Sequence, residues 1–186
     1  VRFWLDMGVD GFRLDAIGTM FEEIDLPEQQ TGKTLDELHV LSRKASSAEE
    51  RERARVLWEE MFRHQHDLPG MHQLMRELRA VVDEYPDRVL IGETDDLSYY
   101  GSGADELHLV FNFPLMRTDR ITPDWARANQ TVRLAGLPSG AWPCNTLGNH
   151  DSARMYSHFG DGRHNAQIAR LNLALLLTLK GTPVLY

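Results

Sequence analysis

Short apolar segments alternate with helical segments along this chain, and that alternation is the feature that most restricts its fold. The segments that predict strands are residues 9–17, 88–92, 106–113, 144–148 and 183–186. Helix signals fill the intervals, including a capping box from Ser47 to Glu50 that predicts a helix to about residue 62. Strands that alternate with helices pair in parallel through right-handed crossovers, so the sequence predicts an α/β fold.

The composition excludes several classes of function. The 186 residues carry 20 Lys and Arg against 28 Asp and Glu, a net charge of −8. Because the chain has no sustained basic run, we expect no nucleic-acid partner. The single cysteine, Cys144, excludes an internal disulfide and a thiolate zinc cluster. No apolar run approaches the roughly 20 residues of a membrane span, so we expect no membrane insertion.

Three acidic residues, Asp15, Glu93 and Asp151, stand at or directly after the ends of predicted strands. In parallel α/β barrels, side chains at those ends face the mouth where active sites form. One such acid can simply cap a turn, but three at three strand ends favour a shared site. Arg13 lies two residues before Asp15, on the same face of the strand, and its charge should keep the Asp15 carboxyl ionised. Paired carboxyl groups are what glycoside hydrolysis requires.

These residues belong to motifs that resemble a known family. The motifs are GFRLDA at 11–16, IGET at 91–94 and LGNHD at 147–151. In order and strand placement they resemble the second, third and fourth signature segments of the α-amylase superfamily, glycoside hydrolase family 13. The stretches 98–101, 105–114 and 177–183 are similar to the bacterial and insect α-glucosidase and oligoglucosidase group, and the resemblance extends over the whole sequence.

The resemblance implies a partial TIM (β/α)8 barrel that holds approximately strands four to eight with their helices. Residues 1–186 would form a partial glycoside hydrolase catalytic barrel, with a polar helical insert at 31–66 after the strand that carries Asp15. The first three strands, the first signature segment and the C-terminal β-domain of the family have no counterpart in this sequence.

The resemblance also implies roles for the matched acids. Asp15 would be the nucleophile that forms a covalent glycosyl-enzyme, and Glu93 the general acid and then base. Asp151 would bind hydroxyls of the distorted sugar ring and stabilise the oxocarbenium-like transition state.

A second group of residues would bind the substrate. Arg13 would orient Asp15, and His150 would donate a hydrogen bond to a sugar hydroxyl near the scissile bond. The other members of this group are expected around the pocket: Phe111, Asn112 and Arg154.

The expected activity is retaining hydrolysis of α-glucosidic bonds in short glucans or disaccharides, exo-acting from the non-reducing end. Within the resembled group, a small residue after the nucleophile, here Ala16, implies a preference for α-1,4 bonds. We expect no cofactor and no metal, and a cytoplasmic location, while the oligomeric state stays open.

Two alternatives remain at the level of sequence. A sugar hydroxyl could replace water as acceptor, which would make the protein a transglycosylase, a sucrose-acting enzyme or a trehalose-forming isomerase. Alternatively, the chain could be a non-catalytic glycosidase-like scaffold, such as the ectodomain that partners an amino-acid transporter. The presence of all three acids with Arg13 and His150 argues against a scaffold.

Overall fold

The computed structural model describes residues 1–25 and 27–186, which form two compact units. The first unit comprises Val1–Ile17 together with His72–Tyr186, and the second comprises Gly18–Met71. All the strands among the described residues belong to the first unit.

Parallel strands form a single sheet in the first unit. Within the described residues, the strands are β1 (Gly11–Leu14), β2 (Val89–Gly92), β3 (Leu109–Asn112), β4 (Cys144–Thr146) and β5 (Thr182–Val184). Their order in the sheet is β1-β2-β3-β4-β5, and every adjacent pair is parallel. Because each strand pairs with the next one in the chain, the order of the strands across the sheet never reverses, which is the arrangement found in the wall of a barrel. A doubly wound sheet would reverse direction partway. The predicted parallel α/β fold is therefore confirmed.

Helices fill the intervals between the strands. They are α1 (Arg2–Asp6), α2 (Leu35–Lys44), α3 (Ala48–Phe62), α4 (Gly70–Val82), α5 (Phe113–Arg117), α6 (Pro123–Gly136), α7 (Met155–His158) and α8 (Asn165–Thr178). Short 3-10 helices lie at Ile17–Thr19 and Leu97–Tyr100. Throughout the described part of the chain, no helix has the length and apolarity that crossing a membrane requires.

The strands are shorter than the sequence pattern predicts. β1 stops at Leu14, β3 begins at Leu109 instead of residue 106, and β4 stops at Thr146. Pairing sets these limits, since β3 meets β2 only from Leu109 onwards. Apolar residues outside the paired stretch belong to other elements, so Phe113 opens α5 and does not end a strand.

Two capped helices, α2 and α3, are the longest regular elements that lie entirely in the second unit. The Ser47 hydroxyl accepts from the Glu50 N–H and the Glu50 carboxylate accepts in return, which confirms the predicted start of α3. The backbone N–H groups of Ser47 and Ser46 lower the pKa of Glu50 to about 2. The same arrangement of Thr34 and Glu37 begins α2, which lies within the polar helical insert predicted at 31–66, although the sequence interpretation did not locate its start.

The core of the first unit is built around β3, whose residues are all buried. Leu109 and Phe111 pack with Phe113 and Cys144 in one apolar cluster. Burial raises the pKa of the Cys144 thiol to about 12, so this cysteine is a packing residue and not a nucleophile.

Glu106 is a buried acid that the sequence interpretation placed at the start of a strand. Its side chain is 2% exposed, and its two oxygens lie 2.8 Å from His72 Nδ1 and 2.8 Å from Arg76 Nη1. Arg79 Nη1 donates to the Glu106 carbonyl at 3.1 Å. These bonds join α4 to the segment before β3, because a buried carboxylate requires partners for its lone pairs.

We expect Glu106→Ala to lower the free energy of unfolding by about 2 kcal/mol, since it removes two charge-assisted hydrogen bonds and leaves a cavity. Denaturant titration followed by circular dichroism measures this change. Glu77→Ala, which removes an exposed glutamate of the same helix, should change the value by less than about 0.5 kcal/mol. Equal effects of the two substitutions would contradict a special role for Glu106.

Candidate active site

The register of the first two strands places two acids side by side. Leu14 pairs with Gly92, and Asp15 and Glu93 are the residues that directly follow them. The Glu93 N–H donates to the Leu14 carbonyl at 2.9 Å, which extends the pairing by one residue. Both side chains therefore leave from the carboxyl ends of adjacent parallel strands, where barrels build their active sites.

Arg13 bonds to both of these acids. Its Nη1 lies 2.5 Å from Asp15 Oδ1, and its Nη2 lies 2.8 Å from Glu93 Oε1. The guanidinium is a rigid planar fork, so its two arms hold the two carboxyl groups next to each other. The contact between Arg13 and Asp15 was expected from the sequence, whereas the bond to Glu93 depends on the pairing of β1 with β2.

The backbone N–H of Ala16 holds the second oxygen of Glu93. The N–H donates to Glu93 Oε2 at 2.9 Å, and Ala16 has a φ of 41°. A positive φ is uncommon for a residue other than glycine, and it occurs most often where the surrounding structure imposes it. Arg13 and Ala16 together fix the orientation of Glu93, whose side chain is 16% exposed.

The surroundings of Asp15 favour its ionised form. The hydrogen bond from Arg13 is the largest cause that lowers the pKa of Asp15, and a hydrogen bond with Glu93 and the Arg13 charge act in the same direction. The Asp15 side chain is 74% exposed, so desolvation opposes these effects only weakly. Asp15 is consequently a carboxylate at neutral pH, open to an approaching molecule.

Asp151 and His150 lie on the loop 147–154, between β4 and α7. The sequence interpretation placed Asp151 directly after a strand, but β4 ends at Thr146 and the acid comes several residues later. The Asn149 side chain accepts from the Asp151 N–H at 3.1 Å, which fixes a turn that presents Asp151. His150 Nε2 lies 3.3 Å from Asp151 Oδ2.

All three predicted acids line one open cavity of about 570 Å³ in the first unit. The lining residues are Asp15, Ala16, Glu93, Phe113, Met116, Arg117, Asn149, His150, Asp151 and Ser152. This volume is within the range of about 300–1,000 Å³ that is typical of small-ligand sites. The cavity combines three carboxyl groups with an imidazole and an aromatic ring, a set suited to a hydroxyl-rich ligand.

Three other predicted substrate-binding residues lie elsewhere. Phe111 and Asn112 are 7% and 1% exposed, in the core beneath the cavity. The Asn112 amide is occupied by Asn129 at 2.8 Å and Asn145 at 3.1 Å. Arg154 lies over the ring of Tyr186, 4.2 Å from its centroid. The structure therefore brings Asp15, Glu93, Asp151, Arg13 and His150 together but does not place this second set in the cavity lining.

The sequence interpretation missed Phe113 and Arg117, which line the cavity from α5. The Arg117 guanidinium lies 5.0 Å from the centre of the Phe113 ring and 3.3 Å from Asp95 Oδ2. Phe113 directly follows β3, so the rule that strand ends supply site residues would have identified it if the end of β3 had been located correctly. No comparable sequence pattern points to Arg117, because its position at the cavity depends on the direction in which α5 runs after β3.

The described residues contain no group of three or more His, Cys, Asp or Glu side chains arranged to hold a metal ion. His64, in the second unit, contacts Glu23 at 3.0 Å, which is a pairwise contact only. Two acids of the cavity, Asp15 and Glu93, are bonded to Arg13, and the third, Asp151, lies 3.3 Å from His150.

Comparison with known proteins extends the resemblance found in the motifs. The chain matches the family described as alpha amylase, catalytic domain, over residues 1–186. It is 32% identical over 203 residues to a probable alpha-glucosidase of Rhizobium meliloti, a match that covers 100% of this chain and 33% of the relative. It is 30% identical over 207 residues to an oligo-1,6-glucosidase of Parageobacillus thermoglucosidasius, covering 100% of this chain and 32% of that protein.

The fold has solved counterparts. The crystal structure of an alpha-glucosyl transfer enzyme, XgtA, superimposes with a TM-score of 0.70 at 27% identity, over 97% of this chain and 33% of that one. The chain thus spans about a third of the length of the relatives it matches. These matches confirm both the resemblance and the prediction of a partial barrel.

The bond from Arg13 to Asp15 predicts the effect of replacing the arginine. Arg13→Gln should raise the pKa of Asp15 towards the ordinary value of an aspartate, because the ionised form loses its principal hydrogen bond and a neighbouring positive charge. At an acidic pH between the Asp15 pKa of the parent and that of Arg13→Gln, a larger fraction of Asp15 would be protonated in the variant than in the parent. Carboxyl ¹³C NMR titration measures the shift.

The matched control is Arg117→Gln, which removes another arginine of the same cavity whose carboxylate partner is Asp95. This variant should leave the Asp15 titration in place. An unchanged Asp15 titration in Arg13→Gln would show that Arg13 does not set the charge state of this acid.

Proposed function

Because the chain belongs to the alpha-amylase catalytic-domain family, we propose that it carries the catalytic centre of a retaining glycosidase that cleaves α-glucosidic bonds. One observation supports this most directly. A single guanidinium, that of Arg13, bonds to two carboxyl groups at the ends of adjacent strands, and both groups line one open cavity. Retaining glycosidases require such a pair, with one group to attack and the other to transfer protons.

Asp15 is the proposed nucleophile. It is ionised, exposed and held by Arg13, so its carboxylate can approach an anomeric carbon in the cavity. Attack forms a covalent glycosyl-enzyme while the bond to the leaving oxygen breaks. The positive charge of Arg13 keeps Asp15 deprotonated between turnovers.

Glu93 is the proposed general acid and base. In the first step it gives a proton to the leaving oxygen, and in the second its carboxylate takes a proton from the attacking water. Its bonds to Arg13 and Ala16 keep the carboxyl group directed at the same space as Asp15. This fixed orientation suits a group that must transfer a proton at the same face of the sugar in both steps.

Asp151 and His150 are the proposed groups that hold the reacting sugar. They line the same cavity as Asp15 and Glu93 from the loop 147–154 and offer a carboxylate and an imidazole within 3.3 Å of each other. A carboxylate at this place can accept hydrogen bonds from ring hydroxyls and stabilise positive charge that develops at the anomeric carbon.

The closeness of the two acids supports retention of the anomeric configuration. Retaining enzymes hold their carboxyl groups about 5 Å apart, whereas inverting enzymes leave about 6.5–9.5 Å for a water molecule. Asp15 and Glu93 share one guanidinium, whose two arms lie 2.5 Å from Asp15 Oδ1 and 2.8 Å from Glu93 Oε1. This arrangement is closer to the retaining case.

The proposed substrates are short α-glucans or disaccharides, cleaved from the non-reducing end, with α-1,4 bonds preferred. The relatives named alpha-glucosidase and oligo-1,6-glucosidase support the glucosidic class. The preference for α-1,4 bonds rests on the small Ala16 beside the nucleophile. Phe113 and Arg117 extend the cavity on one side and are candidates for contact with the leaving group.

A transfer reaction is the second candidate, and the structural similarity to an alpha-glucosyl transfer enzyme favours it. The same glycosyl-enzyme would react with a sugar hydroxyl in place of water. Product analysis at high substrate concentration distinguishes the two, because hydrolysis yields free glucose in proportion to cleavage whereas transfer yields new glucosides.

We predict that Asp15→Asn and Glu93→Gln each reduce kcat/KM on maltose, isomaltose, sucrose or trehalose by about a thousand-fold or more, measured with the complete polypeptide. Each substitution removes a group that acts on the breaking bond. Asp124→Asn is the control, since this aspartate of α6 has a side chain that is 93% exposed. Rates within a few-fold of the parent in both variants would contradict the assignment.

Retention makes a further prediction. During early hydrolysis, ¹H NMR should detect glucose first as its α-anomer, which then equilibrates with the β-anomer. Two displacements at the same carbon preserve its configuration. If the β-anomer appeared first, a single displacement by water would be indicated and Asp15 would not be a nucleophile.

A further inference from the structure

The loop 147–154 carries two of the proposed sugar-binding groups but has no regular secondary structure of its own. The Ser152 Oγ accepts from the Asn149 N–H at 3.1 Å, and the Thr146 Oγ1 donates to the Gly148 carbonyl at 2.8 Å. These bonds join residues within or next to the loop, so they set its local shape. They do not tie it to the neighbouring strand.

Tyr186 supplies a contact between this loop and the next strand. It follows β5, whose Val184 pairs with Thr146 at the end of β4. The Arg154 guanidinium lies 4.2 Å from the centre of the Tyr186 ring, and the His150 ring centroid lies 6.0 Å away at a tilt of 59°. One aromatic ring therefore meets two residues of the loop, one on each side of Asp151.

We propose that Tyr186 is a positioning residue that holds His150 and Asp151 at the mouth of the cavity through its contacts with Arg154 and His150. This inference rests on the proposed function, and it gives Arg154 a different task from the one expected of it. Arg154 lies on the Tyr186 ring and fastens the loop, whereas direct contact with sugar is left to His150 and Asp151.

Physical considerations support an effect on catalysis. His150 and Asp151 have half-exposed to exposed side chains, 50% and 66%, so little packing by their own neighbours restrains them. A cation above an aromatic face is a favourable contact that can restrain such a loop. Small displacements of positioning groups can cost as much as a hundred-fold in rate, because the reacting atoms must meet in a narrow geometry.

The test compares variants of Tyr186 in the complete polypeptide. Tyr186→Leu removes the aromatic ring and should lower kcat/KM by about ten-fold, whereas Tyr186→Phe keeps the ring and should restore most of the activity. The matched control is Tyr156→Leu, which removes another half-exposed tyrosine outside the cavity lining. Thermal unfolding shows that each variant is folded.

A double-mutant cycle tests the partner. Arg154→Leu removes the same contact from the other side, so it should cause a loss similar to that of Tyr186→Leu, and combining the two should cost little more than either alone. If Tyr186→Leu does not fold, the kcat/KM of Arg154→Leu is compared with that of Tyr186→Phe. A loss in Arg154→Leu that Tyr186→Phe does not show would support the contact between Arg154 and the aromatic ring. A multiplicative loss in the double variant would overturn the proposal.

Two further results would overturn it. One is a kcat/KM within two-fold of the parent for folded Tyr186→Leu, and the other is an equal loss in Tyr186→Phe, which would assign the effect to the hydroxyl. Failure of the proposed function looks different, because the parent would then be inactive on every sugar tested. In that case the NMR signals of the His150 ring still test the contact between His150 and Tyr186. These signals should shift in Tyr186→Leu and stay in place in Tyr156→Leu.

Discussion

The pairing of β1 with β2 is the constraint on which the candidate site depends. Because Leu14 is opposite Gly92, the acids that follow them emerge side by side, within reach of the single Arg13 guanidinium. A shift of this register by one residue would turn one of the side chains to the other face of the sheet and separate the pair. The site is therefore a consequence of sheet geometry more than of local sequence.

In this site one guanidinium, that of Arg13, binds two carboxyl groups with different proposed roles. Arg13 keeps Asp15 ionised and also fixes Glu93, while the Ala16 N–H supplies the second bond to Glu93. The backbone strain at Ala16 lies directly beside these acids, in keeping with the general tendency of strained residues to occur at functional sites. Asp151 comes from the loop 147–154, whose residues His150 and Arg154 both contact the Tyr186 ring just after β5.

The departures of the structure from the sequence predictions share a physical origin. Apolar patterning identified every strand but not its ends, since an apolar residue is buried equally well in a strand, a turn or the first turn of a helix. Phe113 was thus counted with β3 although it begins α5 and lines the cavity. Phe111 and Asn112 were expected near the substrate because they stand at the end of β3, whereas their side chains are buried in the core. The start of α2 was not located within the helical insert predicted at 31–66, because the capping pair of Thr34 and Glu37 was not recognised.

The sequence by itself determined the alternation of strands and helices, the parallel fold and the family, because periodicity and the three motifs are local properties of the chain. It also identified Arg13, Asp15, Glu93, His150 and Asp151, which the structure brings together around one cavity or directly beneath it. Only the tertiary structure decided the bond between Arg13 and Glu93, the burial of Glu106, the place of Arg117 and the contact of Tyr186 with the loop of Asp151. These are contacts between residues on different strands, helices or loops, and their distances depend on how those elements pair and pack.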